Sequence, residues 1–422
     1  MTMIILYNII QLVLLPVALV LTPVYLFFRK EKRKLIPARL GFGCNLPSRK
    51  GNEKIIWVHA LSVGETISSL PLLKGLKEQY PTATVILSST TLNGQLIARQ
   101  KAQSLVDHII PFPFDIAPVV TYFIKRVNPD LFIMVETDFW PNVIHQMSKR
   151  NIPIVLVNGR ISAKSQKNYL KFSPLFTQLF QKFSEFCMQT AADKAFLSHF
   201  SIPPERIHSL GNLKYAETLG ADLSVTKSKL NSALSNGITF LCGSTHENEE
   251  SVILKTYQQL HREFPELRLI IAPRDISRVD HVAQISSELK IDTIRFSGNS
   301  EWRDEVLLID TIGDLANLYS EVDIAFIGGS MIPFGGHNPL EAVRFGKPVI
   351  FGPHTFNFQE ICDELVAHKG SLRVTEQSLH NTLHHLLSDQ NSRQELGRNG
   401  LKSLQPHRDV LKNHLEIISR YL

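Results

Sequence analysis

The chain has 422 residues, 44% of them hydrophobic, and a formal charge of +6. That is ample for about two to three ordinary domains. Its four cysteines, Cys44, Cys187, Cys242 and Cys362, are far apart and form no Cys-x-x-Cys pair, which excludes a disulfide scaffold or a zinc knuckle and fits a reducing compartment. Away from the N-terminus no basic run is interleaved with aromatics, so nucleic acid is not an expected partner; an anionic membrane surface or a phosphorylated substrate accounts for the charge.

From Met3 to Phe28 the residues are almost all apolar, interrupted by Asn8, Gln11, Thr22, Pro16 and Pro23. The stretch is long enough to cross about 30 Å of hydrocarbon. The cluster Arg29-Lys30-Glu31-Lys32-Arg33-Lys34 follows it, and the positive-inside rule then keeps everything beyond on the cytoplasmic side. A cleavable signal peptide is disfavoured, because the charge follows the apolar run and no small-residue cleavage site is present. A helix lying in the membrane face is the other reading, since both prolines weaken a straight span. Residues 1–34 are therefore expected to be a membrane anchor with a basic flank.

Beyond the anchor, apolar runs of strand length recur at Ile55 to Val58, Val85 to Leu87, Leu131 to Val135, Ile154 to Val157, Phe240 to Cys242, Leu269 to Ala272, Val306 to Ile309, Ile324 to Ile327 and Val349 to Phe351. Amphipathic stretches such as Leu70 to Leu76, Asn142 to Lys149 and Val252 to Phe264 separate them. Such alternation predicts an α/β chain of parallel sheets with helices on both faces. The strands are too many for one comfortable sheet. The polar segment 220–237 is the natural linker between two doubly wound, Rossmann-like domains, residues 35–219 and 238–422.

In doubly wound sheets ligands bind beyond the carboxyl ends of the strands. Reading those positions in order gives His59 to Glu65, Glu136 to Asn142, Asn158 to Ser162, Gly211-Asn212-Leu213-Lys214, Gly243 to Glu247, Pro273-Arg274, Ile312-Gly313-Asp314, and Gly335-Gly336-His337-Asn338-Pro339-Leu340-Glu341. The last of these reads as strand, glycine-rich turn and helix start. Asn338 suits the N-cap, Pro339 the first helical position and Glu341 a capping carboxylate; the exposed N–H groups behind them suit a phosphate. Glu65 follows a glycine at a strand-to-helix turn. Glu136 ends a strongly apolar strand, where its charge needs a specific partner. Arg274 suits a phosphate or carboxylate clamp. Each residue also has a plain structural reading, as a first-turn glutamate, a solvated lysine at 214 or a surface ion pair at 274.

This order of motifs resembles the Kdo transferases, enzymes that attach 3-deoxy-D-manno-octulosonic acid to lipid A precursors. The specific parts are Trp57-Val58-His59-Ala60 with Ser62-Val63-Gly64-Glu65, Glu136-Thr137 with Trp140-Pro141-Asn142, Gly211 to Lys214, Ser244-Thr245-His246-Glu247 and Gly335 to Glu341. Asp275, Asp314 and Ala216 depart from the family pattern. The resemblance implies a GT-B glycosyltransferase of two Rossmann-like domains with a cleft between them, at the bacterial inner membrane on a single-pass N-terminal anchor, its body cytoplasmic. The donor would be CMP-Kdo and the acceptor a lipid A precursor, with inversion in a single displacement. Glu65 would be the general base, with Glu136 and Lys214 stabilising the transition state. Pro273, Arg274, Ile312, Gly313, Asp314, Asn338, Pro339, Leu340 and Glu341 would bind substrate. No Asp-x-Asp occurs, and neither metal nor cofactor is expected. Two other readings stand beside it: a GT-B enzyme using a UDP-sugar on a lipid-linked acceptor, and a membrane-tethered nucleotide-binding protein without turnover.

Overall fold

The structure is a computed structural model and describes residues 2–29, 33–49, 51–219, 237–298, 302 and 305–422. Residues 30–32 of the basic flank and 220–236 of the expected linker lie outside the described residues. The chain forms two compact units, Met1–Glu217 with His407–Leu422, and Thr218–Pro406.

The first unit is built on β1 (Ile55–His59), β2 (Thr84–Ser89), β3 (His108–Pro111), β4 (Leu131–Val135), β5 (Ile154–Gly159), β6 (Glu185–Met188) and β7 (Ile207–Ser209). All pairings are parallel, in the order β3-β2-β1-β4-β5-β6-β7, and Trp57 sits between Ile86 and Phe132 in register. Every residue of β1, β4 and β5 is buried. These strands are covered on both faces, which is why they read as continuous apolar runs rather than alternating ones. The second unit repeats the plan with β8 (Ile238–Thr245), β9 (Leu267–Pro273), β10 (Thr293–Arg295), β11 (Val306–Leu308), β12 (Ile324–Ile327), β13 (Val349–Phe351) and β14 (Ser371–Arg373) in the order β10-β11-β9-β8-β12-β13-β14.

The chain does not end in its second unit, as the sequence suggested for 238–422. Its last helix, Val410–Ser419, returns to the first, where Val410, His414, Ile417 and Ile418 are buried. It lies on α3 (Val63–Gln79) at Gly75, where a Cβ would come within 2.8 Å of Leu415. Imidazole Nδ1–H of His414 donates to Val410 O at 2.7 Å, leaving Nε2 to accept Asn158 N–H at 3.4 Å. Tyr421 Oη donates to the buried Glu185 at 2.9 Å.

At the other end, α1 (Thr2–Phe28) is a helix of 27 residues, followed by α2 (Leu35–Arg39). With the side chains at 18, 19, 24 and 26 outside the described set, no helix among the described residues is long and apolar enough to cross a membrane. The expected single-pass span therefore finds no support here. The start of α1 packs on the first unit: Tyr7 donates to Asp115 and Asn8 pairs with Asn142.

The returning helix leads to a prediction. Deleting His407–Leu422 removes the buried Val410, Ile417 and Ile418, each worth roughly 1.5–3 kcal/mol of burial, and uncovers the face they pack on, a loss comparable to the stability of a whole domain. The truncated protein should lose cooperative melting of its first unit. A calorimetric trace matching that of the full chain would show the helix to be dispensable.

Candidate active site

Each sheet has one place where the strand order reverses, leaving a crevice at the carboxyl edge that helices do not fill. In the first sheet it lies between β1 and β4, in the second between β8 and β12. The chemically capable residues collect at these two places.

At the first reversal, Glu65 is buried in the opening turn of α3. Its carboxylate accepts the N–H of Leu61 and, at 3.2 Å, the hydroxyl of Ser62. Burial, followed by the nearby charges of Asp138 and Glu136, raises this carboxyl to about 8. Glu65 thus holds a proton at neutral pH and becomes a competent base as the pH rises through that value. Glu136 sits at the end of β4 in the left-handed region, φ 62°, with its N–H on Val157 O at 2.9 Å. Asp138 is raised to about 6 by burial, and its Oδ2 is buried without a hydrogen-bond partner, as is Trp140 Nε1. His59 stacks on Phe112 at 3.5 Å between ring centroids, and burial lowers it to about 3. It is a neutral ring here.

The Gly211 to Lys214 turn is held from behind. Asn158 Oδ1 accepts Leu213 N–H at 2.9 Å and Asn212 Oδ1 accepts Lys214 N–H at 3.0 Å. Gly211 has φ +95°, and a Cβ there would strike Val410 and His407. Lys214 opens the helix Lys214–Leu219.

At the second reversal one carboxylate organises the loops. Glu249, fully buried, accepts the N–H groups of His246, Gly329, Ser330 and Met331 at 3.0, 2.7, 3.0 and 2.9 Å. It ties the segment after β8 to the segment after β12. Gly328 lies against this join, where a Cβ would be 2.2 Å from Ser244 O. His246 and His337 face each other with Nε2 atoms 2.9 Å apart, and Phe334 stacks on both. Burial lowers both imidazoles, His337 to about 4, and the charge of Arg274 acts on each in the same direction. Arg274 follows β9 and is exposed, its N–H on Thr245 O at 2.9 Å. An anion placed among these groups would meet a guanidinium and two imidazoles able to gain a proton.

The remaining expected donor residues occupy the same edge. Ile312 and Gly313 stand on an exposed loop after β11, with Gly313 at φ +98°, and Asp314 accepts the Thr311 hydroxyl. After Gly335 and Gly336, at φ +108° and +74°, Asn338 Oδ1 caps Leu340 N–H at 3.1 Å. The helix that follows differs from expectation. It runs only from Leu340 to Val343, with Pro339 as its cap, because Gly346 at φ +67° turns the chain away. A single turn carries little dipole, so anion attraction here falls chiefly to Arg274 and the histidines. The sequence motifs contained His246 and His337 but singled out neither. Asp138 and Glu249 were also missed, although a carboxylate three residues past His246 at a helix start was the available signal for Glu249. Among the described residues no group of three His, Cys, Asp or Glu side chains could hold a metal ion.

Two parallel-sheet units with these sites at their reversals give the two-Rossmann architecture of the GT-B class, and the comparisons with known proteins place the chain among its glycosyltransferases. Residues 34–217 match the family described as 3-Deoxy-D-manno-octulosonic-acid transferase (kdotransferase), and 244–403 match Glycosyl transferases group 1. The chain is 34% identical over 397 residues to the 3-deoxy-D-manno-octulosonic acid transferase of Haemophilus influenzae, covering 92% of each, and 28% identical to that of Rickettsia bellii over 99% of each. MurG of Acinetobacter baumannii shares the fold, at 12% identity and a TM-score of 0.52 over 87% of this chain and all of that one. The chain belongs to the Kdo transferase family and is a glycosyltransferase that transfers Kdo in lipopolysaccharide synthesis.

Because the Asp138 charge helps hold the Glu65 proton, Asp138→Asn should lower the Glu65 midpoint from about 8 while burial keeps it above the ordinary carboxylate range. Carbon NMR of the labelled δ-carboxyl reads it directly. A midpoint unchanged in the variant would leave burial and the Glu136 charge as the causes.

Proposed function

We propose that this enzyme transfers Kdo from CMP-Kdo to a sugar hydroxyl of a lipid A precursor, lipid IVA, in one inverting displacement. The observation that carries this reading is the carboxyl cluster at the reversal of the first sheet, where burial and the charges of Asp138 and Glu136 raise the buried Glu65 to about 8. A base poised near the working pH is what proton removal from a sugar hydroxyl requires. The acceptor O–H proton passes to Glu65 as its oxygen bonds to the anomeric carbon of Kdo. The bond from that carbon to the CMP phosphate oxygen breaks, and its electron pair leaves with the phosphate. Glu136 and Lys214 stabilise the transition state.

The donor is held by Pro273, Arg274, Ile312, Gly313, Asp314, Asn338, Pro339, Leu340 and Glu341. Charge developing on the departing phosphate is met by Arg274 and by the proton that the His246–His337 pair can take up, groups that are set before the reaction starts. In this reading residues 35–219 serve the acceptor and the second unit serves the donor. The enzyme works on the cytoplasmic face of the inner membrane, attached through α1, where a lipid acceptor is found.

Two measurements test the assignment. Purified protein given CMP-Kdo and tetraacylated lipid A precursor should yield an acceptor heavier by whole Kdo residues, with no product from UDP-sugars; transfer from a UDP-sugar instead would overturn the donor. Glu65→Gln, nearly isosteric but unable to take a proton, should cut kcat by at least about a hundredfold with CMP affinity little changed. Wild-type turnover in that variant would remove Glu65 from the chemistry.

A further inference from the structure

The polar residues of α1 say how the helix meets a bilayer, given the membrane attachment proposed above. Tyr7 Oη donates to Asp115 Oδ2 and Gln11 Nε2 to Asp115 O, both at 2.9 Å, while Asn8 and Asn142 exchange amide hydrogen bonds of 3.0 and 2.9 Å. The receiving corner is buried and braced. The Asp115 carboxylate accepts the N–H groups of Asn142 and Val143, and Asn142 Nδ2 donates to Asp115 O at 2.7 Å.

The chain is gripped again at Arg39, whose Nε donates to Phe112 O at 2.9 Å and whose carbonyl accepts Phe114 N–H at 3.1 Å. Both grips fall on one stretch, 112–115. Residues 12–38 therefore leave a surface and come back to it. From Gln11 to Phe28 the helix advances about 25 Å at 1.5 Å per residue. A segment of about seven residues has the reach to return over that distance.

A single-pass span cannot satisfy both grips. With Arg29 at the cytoplasmic interface, about 30 Å of hydrocarbon would carry Tyr7–Gln11 to the opposite face. Asp115 and Asn142, however, belong to the same unit as the sheet that carries Glu65.

We propose that α1 is a monotopic membrane element. It enters and leaves a lipid bilayer through one leaflet, with Tyr7, Asn8 and Gln11 clamped to the protein. Past the clamp large apolar side chains face outward: Leu12 and Val13 are 69% and 70% exposed, Val20 71% and Phe28 77%. Apolar surface of this extent on one helix fits the acyl region, and the basic Arg29, Arg33 and Lys34 that follow it complement anionic headgroups. The helix Pro141–Lys149, which carries Asn142, is thereby moored at the lipid surface together with the Glu136–Trp140 loop before it. Asn142 is a positioning residue in this arrangement.

Sidedness tests it in the full-length protein. In a Cys44→Ser background, one cysteine is placed ahead of Met1, or alternatively at the exposed Asn52, and probed with a membrane-impermeant maleimide in spheroplasts and in inverted vesicles. Both positions should label only in inverted vesicles; labelling of the N-terminal cysteine from the spheroplast face would overturn the proposal. Asn8→Leu with Gln11→Leu removes the clamp and makes the helix more apolar, so a fraction of N-terminal cysteines should then appear at the spheroplast face. Unchanged protection would show that the clamp does not set the topology. Flotation with phosphatidylethanolamine–phosphatidylglycerol vesicles separates the failures. Protein that sediments as a dimer and does not float refutes the bilayer as occupant and membrane attachment with it. Protein that floats but labels from opposite faces refutes only the monotopic arrangement.

Discussion

Everything chemical in this molecule depends on a constraint of parallel sheets. A parallel strand can be followed by another only through a crossover, and a sheet wound outward in both directions must reverse its order once. The reversals at β1/β4 and β8/β12 are the places on the carboxyl edge where neighbouring loops run to opposite sides. Glu65, Glu136 and Asp138 occupy one; His246, His337 and Arg274 lie at or beside the other. The carboxyls of the first site and the guanidinium with two imidazoles of the second suit the transfer proposed above, in which one substrate loses a proton and the other releases an anion.

The loops at these edges are fixed by buried polar groups rather than by apolar packing. Glu249 gathers four backbone N–H groups, Asn158 holds Leu213, and Asp115 caps the helix that begins at Pro141. Such groups are costly to bury unless satisfied, so each enforces one loop geometry. The same edges hold non-glycine residues in the left-handed region, Glu136 at φ 62°, Asn158 at 54° and Ser244 at 56°. Strain concentrated there, and tolerated because the surroundings are over-determined, is a mark of a working site.

Most interior strands were legible in the sequence because burial on both faces removes polar alternation, as in Leu131 to Val135, but the interior and fully buried β6, four residues long and opening on Glu185, was not. The edge strands β3, β7, β10 and β14 were not, being three or four residues long and partly exposed. Carboxylates at strand ends flagged Glu65 and Glu136, since a charge ending an apolar run needs an explanation. Glu249 escaped because three of its partners lie some eighty residues away, beyond any local pattern. Tyr7, Asn8 and Gln11 were counted as part of an apolar span or as breaks in it, whereas they are its attachment points; hydropathy alone does not tell an interruption from a contact. The amphipathic pattern of Val410–Ser419 likewise does not say which sheet the helix covers.

The return of that last helix makes the second unit an insertion within the first, and this orders events during synthesis. The first seven strands emerge from the ribosome with part of their covering still untranslated, and they must wait for all of Thr218–Pro406 before Val410, Ile417 and Ile418 arrive. The inserted unit has no such debt and can fold as soon as it is clear of the ribosome, since domains generally fold as units. A chain stopped between Pro406 and its final helix would thus carry a finished second unit and an unfinished first one. That asymmetry would expose such aborted translation products to proteases at the first unit.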